Sequence, residues 1–273
     1  KKSRMKKSVL YMNQEMLPYI EESEIAKIGR NLPQGIQQKG KEIRTFMPRF
    51  GCINERRNQL HEVIRLSGMN LIIDDNDHPL IIKVASIQAA RMQVYFIDNE
   101  EYFQRKFGLK DKAGNVFEDN DERAIFYCRG VLETVKKLGW APDIIHCHGW
   151  MNAFVPLYIK KVFNEDPTFS KSKVIFSIYN TGFEDELNKN FGNKAILDGV
   201  DLEDVAELSN PTATEVYKYA AKWSDGIIIG SDGIDSTLEE EIKKMDKPLL
   251  EFQTEESYVE EYNNFYDSVL SDN

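Results

Sequence analysis

The sequence predicts an α/β fold: a single Rossmann-like, doubly wound, mostly parallel sheet over residues 1–273, with an antiparallel insertion and a carboxyl-terminal amphipathic helix. Three observations carry this. Apolar spacing alternates between strand and helix periods along nearly the whole chain, as repeated βαβ units require. The stretch LGWAPDIIHCHGWMNAFVPLYIKK, residues 138–161, sets a strand, a polar turn and a helix in immediate succession. Between Leu60 and Asp98, by contrast, strand-like runs follow one another with no helix between them.

Taken in order, Val9–Met12 reads as the first strand of about 8–13. Ile25, Ile28, Leu32 and Ile36 mark one helical face, with Ser23 as N-cap, Gly40 as stop and Pro33 expected to kink the helix or open a fresh turn. Ile43–Met47 gives a strand near 42–47, closed by Pro48. The antiparallel excursion covers about 60–88, through Val63–Leu66, Met69–Ile73 and Leu80–Ile87. The run DDNDHP, 74–79, is its tight turn, and a strand at 92–98 rejoins the sheet. Asp74, Asp75 and Asp77 suggest a solvated hairpin rather than a cation loop, since the glycine and distant glutamate of a calcium site are missing.

A helix over 122–137 follows, with Ala124, Ile125, Cys128, Val131, Leu132 and Val135 on one face and Asn120 or Asp121 as cap. Further strands are expected at 143–147, 173–179 and 225–230, with a short last one at Pro248–Phe252. Helices carry Trp150–Tyr158, Val216–Trp223 and Leu238–Met245. In the tail, 256–270, Tyr258, Val259, Tyr262, Phe265, Tyr266 and Val269 form an aromatic stripe that must be buried, either on the chain's own sheet or on a partner.

Composition narrows the function. A net charge of −10 disfavours nucleic acid and anionic membranes as partners. No apolar run approaches the ~20 residues of a membrane span. The basic start, KKSRMKK, leads into a short strand rather than a signal-peptide core. Cys52, Cys128 and Cys147 are few and scattered, which suggests neither disulfides nor zinc. A cytoplasmic protein is expected.

Candidate binding residues sit where the strand at 143–147 ends, because ligands of doubly wound sheets gather at the carboxyl ends of strands. They are His146, His148, Trp150 and Asn152, with Tyr179 and Asn180 after the next strand. The two-residue period points both histidines the same way, so they can hydrogen-bond a glycan, hold a metal, or serve as structural groups at the turn. No residue is assigned as catalytic, cofactor-binding or metal-binding.

The wording around His146–Trp150 resembles the starch and glycogen synthases, retaining glycosyltransferases of the two-lobed GT-B fold, which carry His-x-His-Asp-Trp here. The similarity runs from about residue 8 to 180. It includes GKEIRTFMPRFG, the segment FIDNEEYFQRKFG with Asp98, Tyr102 and Phe103, and DNDER with Asp119, Asn120 and Arg123. The resemblance implies the amino-terminal lobe of such an enzyme, with ADP-glucose as donor substrate and an α-glucan as acceptor. It also shows departures. Aligned through Leu32–Pro33, the family's Lys-x-Gly-Gly falls on Glu21, Ser23 and Glu24, and a register using Lys27 meets Ile28–Gly29 instead of two glycines. The family aspartate is Gly149 and the histidine of its His-Asn pair is Tyr179, beside a retained Asn180. With no counterpart of the second lobe in these residues, two readings follow. One is a non-catalytic module that binds a glycan or a protein partner, a second copy of itself included. The other is a subunit of an α-1,4-glucan synthase whose second lobe comes from another chain.

Overall fold

A computed structural model describes residues 5–272; Lys1–Arg4 and Asn273 lie outside the described residues. Strand β1 (Ser8–Asn13) is buried along its whole length, as a central strand covered on both faces must be. Helix α1 (Glu24–Gln38) starts on Ser23, whose hydroxyl accepts the Ala26 amide at 3.0 Å. It closes at Gly40, φ +97°, with the Gly40 and Lys41 amides donating to the carbonyls of Gln37 and Ile36. Pro33 opens no fresh turn: α1 runs through it without a break. Burial of Leu32, Pro33 and Ile36 against the sheet outweighs the one hydrogen bond that proline forfeits.

Next come β2 (Glu42–Pro48), which takes in Pro48 as its last residue, and the short β3 (His61–Glu62). The strand expected at Val63–Leu66 is instead a 3-10 turn over Ile64–Leu66. The hairpin of β4 (Asn70–Ile73) and β5 (Asn76–Pro79) corrects the long turn expected at 74–79. Only Asp74 and Asp75 turn, at φ +51° and +63°, because aspartate tolerates the left-handed region that a two-residue hairpin needs. Strands β6 (Ile81–Ile87) and β7 (Met92–Asp98) complete the excursion.

Helix α2 (Asn120–Leu138) begins earlier than expected, so Asn120 and Asp121 lie in its first turn and Asp119 is the cap position. The Asp119 carboxylate makes no cap bond because Arg105 holds it, at 2.6 Å through one nitrogen. Strand β8 (Ile144–His148) starts one residue late; Asp143 precedes it and accepts the Ser8 amide at 2.9 Å. A 3-10 turn, Trp150–Asn152, then separates β8 from α3 (Val155–Lys161). The chain continues through β9 (Lys173–Ile178), the single-turn helices α4 (Phe191–Lys194) and α5 (Leu202–Val205), and α6 (Ala213–Trp223). It ends with β10 (Gly226–Ile229), α7 (Ser236–Lys244), the two-residue β11 (Leu249–Leu250) and α8 (Tyr258–Ser271).

The nine-stranded sheet has the order β11-β10-β9-β8-β1-β2-β7-β6-β3, parallel from β11 to β7 and antiparallel at β6 and β3. Alternation along the strands sorts the core into two layers. Leu10, Met12, Ile145, Cys147, Val174 and Phe176 face the side covered by α2, α3 and α6. Val9, Tyr11, Ile144, Ile175 and Ile228 face α1 and α8. The tail thus docks on the chain's own sheet, with Tyr258, Tyr262, Phe265, Tyr266 and Val269 buried. Small residues permit the fit: a Cβ on Gly35 would lie 2.7 Å from Val259, and one on Gly226 3.2 Å from Phe265 and Val269. Among the described residues no helix is long and apolar enough to cross a membrane.

Candidate functional site

The end of β8 sets His146 and His148 on the face toward α8, both fully buried, with ring centroids 3.9 Å apart. His146 shares a 2.5 Å hydrogen bond through Nδ1 with the Tyr266 hydroxyl and a 2.6 Å bond through Nε2 with Ser177 Oγ. The Tyr266 hydroxyl in turn lies 3.0 Å from that of Tyr11. His148 Nδ1 meets the Tyr179 hydroxyl at 2.6 Å, and its Nε2 has no partner among the described residues. Three of the four ring nitrogens are therefore held by internal hydroxyls. Burial pushes the His148 imidazole down to about 3, and burial together with the neighbouring His148 pushes His146 well below its ordinary value. Both are neutral at physiological pH.

Tyr179 follows β9 directly instead of ending it, and burial raises its phenol well above the ordinary value. Asn152 is also inward: its amide nitrogen donates to the carbonyls of Met12 at 3.1 Å and His148 at 2.9 Å, tying β1 to the turn after β8. Trp150 is 2% exposed and its Nε1 has no acceptor among the described residues. Asn180 is the exposed member of the set; its amide donates to Ser231 Oγ at 2.7 Å, and Ser231 donates to Glu24 at 2.6 Å. Gly149 has φ +101°, and a Cβ there would lie 2.6 Å from Gln14 Oε1. That oxygen accepts the Met151 amide at 3.1 Å.

Trp150, Tyr179 and Asn180 meet on the wall of a cleft of about 660 Å³, beyond the carboxyl ends of β8 and β9. Tyr217 of α6 and Phe117 and Phe183 from loops add apolar surface. The charged groups on the rim are Glu118, Glu184, Asp185, Glu186 and Asp235 against Lys110 alone. Leu109 also borders a second cavity of about 760 Å³, where Glu15, Glu21, Glu22 and Ser23 gather with Arg57. This is the amino-terminal end of α1, where Glu21, Ser23 and Glu24 stand at the positions of the Lys-x-Gly-Gly motif. Ser23 Oγ donates to Glu15 at 2.6 Å while capping the helix, so its hydrogen-bonding capacity is spent within the chain. Among the described residues no group of three or more His, Cys, Asp or Glu side chains comes together to hold a metal.

The other motifs quoted from the sequence build scaffold. Arg123, fully buried, donates to the carbonyls of Tyr102 at 2.7 Å and Gly108 at 3.0 Å and to Asn120 Oδ1 at 2.8 Å. Its guanidinium sits among Phe50, Phe103 and Phe117, and burial lowers it to about 10. It clamps the loop between β7 and α2. Asp98, also fully buried, faces Lys83 at 2.9 Å and Arg49 at 3.3 Å.

The family described as starch synthase catalytic domain matches residues 8–248. The chain belongs to that family. The chain is 38% identical over 179 residues to a glycogen synthase of Chlorobium luteolum, covering 65% of this chain and 37% of that enzyme. It is 39% identical over 173 residues to a glycogen synthase of Chlorobaculum tepidum, covering 63% and 36%. It thus spans little more than a third of the length of these relatives. In fold it is similar to the catalytic domain of starch synthase IV from Arabidopsis thaliana bound to ADP and acarbose. There the TM-score is 0.69 at 18% identity, covering 92% of this chain and 52% of that one.

Trp150, Tyr179 and Asn180 meet on the cleft wall, whereas His146, His148 and Asn152 are buried and bonded within the chain. Sequence reasoning missed Tyr11, Ser177, Tyr266, Ser231 and Phe183. Tyr266 belongs to the tail's aromatic stripe, but helical spacing does not say which buried ring meets an imidazole.

Proposed function

We propose that this chain binds α-glucan in the cleft beside Trp150 and does not itself transfer glucose. The charge of the cleft carries the reading. Glu118, Glu184, Asp185, Glu186 and Asp235 outnumber Lys110, so a neutral polyol is accepted and a diphosphate repelled. Carboxylates accept hydroxyl hydrogens well, and aromatic walls such as Trp150 and Tyr217 suit the apolar face of a sugar ring. At α1 the Ser23 cap and Glu24 already complement the helix dipole that would otherwise favour phosphate. The imidazoles, neutral and bonded inward, are poorly placed to contact a donor sugar in the cleft.

A second reading is favoured by the family itself and by relatives named glycogen synthase: a catalytic role with ADP-glucose, completed by a second lobe on another chain. Thermal unfolding with each ligand separates the two. A ligand at 100 times its dissociation constant adds about 2.7 kcal/mol, a visible shift. Maltoheptaose is expected to raise the melting temperature and ADP-glucose to leave it unchanged. Stabilisation by ADP-glucose would favour the second reading, and silence with both would point to a protein partner.

A further inference from the structure

We propose that Phe183 occupies, from within the chain, a glucosyl subsite on Trp150, and that the strap 181–187 is the lid of that subsite. The proposal rests on the glycan reading above. Trp150 is 2% exposed, yet its indole Nε1 has no acceptor among the described residues. Buried tryptophans ordinarily find one, because an orphaned N–H forfeits its hydration without return. The Phe183 ring packs against this indole, edge to face, at a centroid distance of 4.9 Å and 69°. A phenyl ring beside an indole is at best a poor acceptor for its N–H. A pyranose ring in the same place offers an apolar face to stack and a hydroxyl oxygen to accept the N–H. The sugar therefore satisfies what Phe183 leaves unsatisfied.

The strap is built to move. Between β9 and α4 it has no helix or strand, and Thr181, Gly182, Glu184, Asp185 and Glu186 are exposed. It is tied at its ends: the Asn180 amide to Ser231 Oγ, the Tyr217 hydroxyl to the Thr181 carbonyl at 2.9 Å, and the Leu187 amide to the Pro211 carbonyl at 3.0 Å. Among the described residues no backbone hydrogen bond holds Gly182–Glu186. Phe183 itself is only half-buried, so the closed state gains little from it. A glycan then binds to the open fraction alone, and its apparent affinity is reduced by that fraction.

Two measurements on the full chain test this. Lid opening is read without ligand, by acrylamide quenching of Trp150 in a Trp140→Phe, Trp223→Phe background. Binding is read by calorimetry with maltoheptaose. The lid predicts measurable quenching and binding about threefold or more tighter in Phe183→Ala. Trp150→Phe, which keeps an aromatic face but is smaller and loses the N–H, should bind about fivefold more weakly when placed in Phe183→Ala. Equal or weaker binding by Phe183→Ala overturns the lid while leaving the glycan reading standing. Quenchable Trp150 with no maltoheptaose bound by either protein overturns the glycan reading and the subsite with it.

Discussion

One hydroxyl, that of Tyr266, joins the tail to both Tyr11 and His146. Removing it in Tyr266→Phe leaves two buried partners unpaired and should cost about 1–3 kcal/mol in urea unfolding. The histidines also make stability depend on pH. His148 is held at about 3 in the folded chain and titrates near its ordinary 6.5 when unfolded. Between these values the unfolded chain binds more protons, so this contribution is complete above about pH 6.5 and fades as pH falls toward about 3. The urea midpoint should therefore drop between about pH 7.5 and pH 5, and drop less in His148→Asn. Gly149→Asp, which restores the family residue, should destabilise rather than activate. At φ +101° an L side chain is strained, and its Cβ would collide with the Gln14 side chain that holds the Met151 amide. Its melting temperature should fall below that of the unaltered chain.

Helix α8 completes one face of the sheet. Without it Val9, Ile144, Ile175 and Ile228, now fully buried, would meet water. Phe265→Ala should cost about 3–5 kcal/mol, and deletion of 254–273 should abolish cooperative unfolding followed by circular dichroism. A truncated chain with an unchanged transition would show that the helix is dispensable. The loop between β7 and α2 depends in the same way on Arg123, whose three hydrogen-bond acceptors lie in or beside it. The tail's stripe and the arginine motif were both readable as patterns. Which surface the stripe covers, and that the arginine is a clamp, needed contacts between residues far apart in sequence.

For the molecule as a whole, radiolabelled glucose from ADP-glucose should not enter maltoheptaose above a no-enzyme control. Transfer needs the donor diphosphate and the acceptor hydroxyl held at near-attack distance. The acidic borders of both cavities oppose the first requirement. Incorporation that disappears in Tyr179→Phe or His148→Asn would establish catalysis by this chain.

Periodicity along the chain was enough to read the α/β class, six parallel strands to within a residue or two and the antiparallel excursion, because it is a local property. Turn details at 64–66 and 74–79 escaped it, since short apolar or acidic runs satisfy several backbone geometries equally. That His146 turns inward to Tyr266 and Ser177, and that Phe183 packs on Trp150, emerges in the folded chain alone. Their partners are brought together by the sheet and by helix packing, and spacing along the chain carries no record of that meeting.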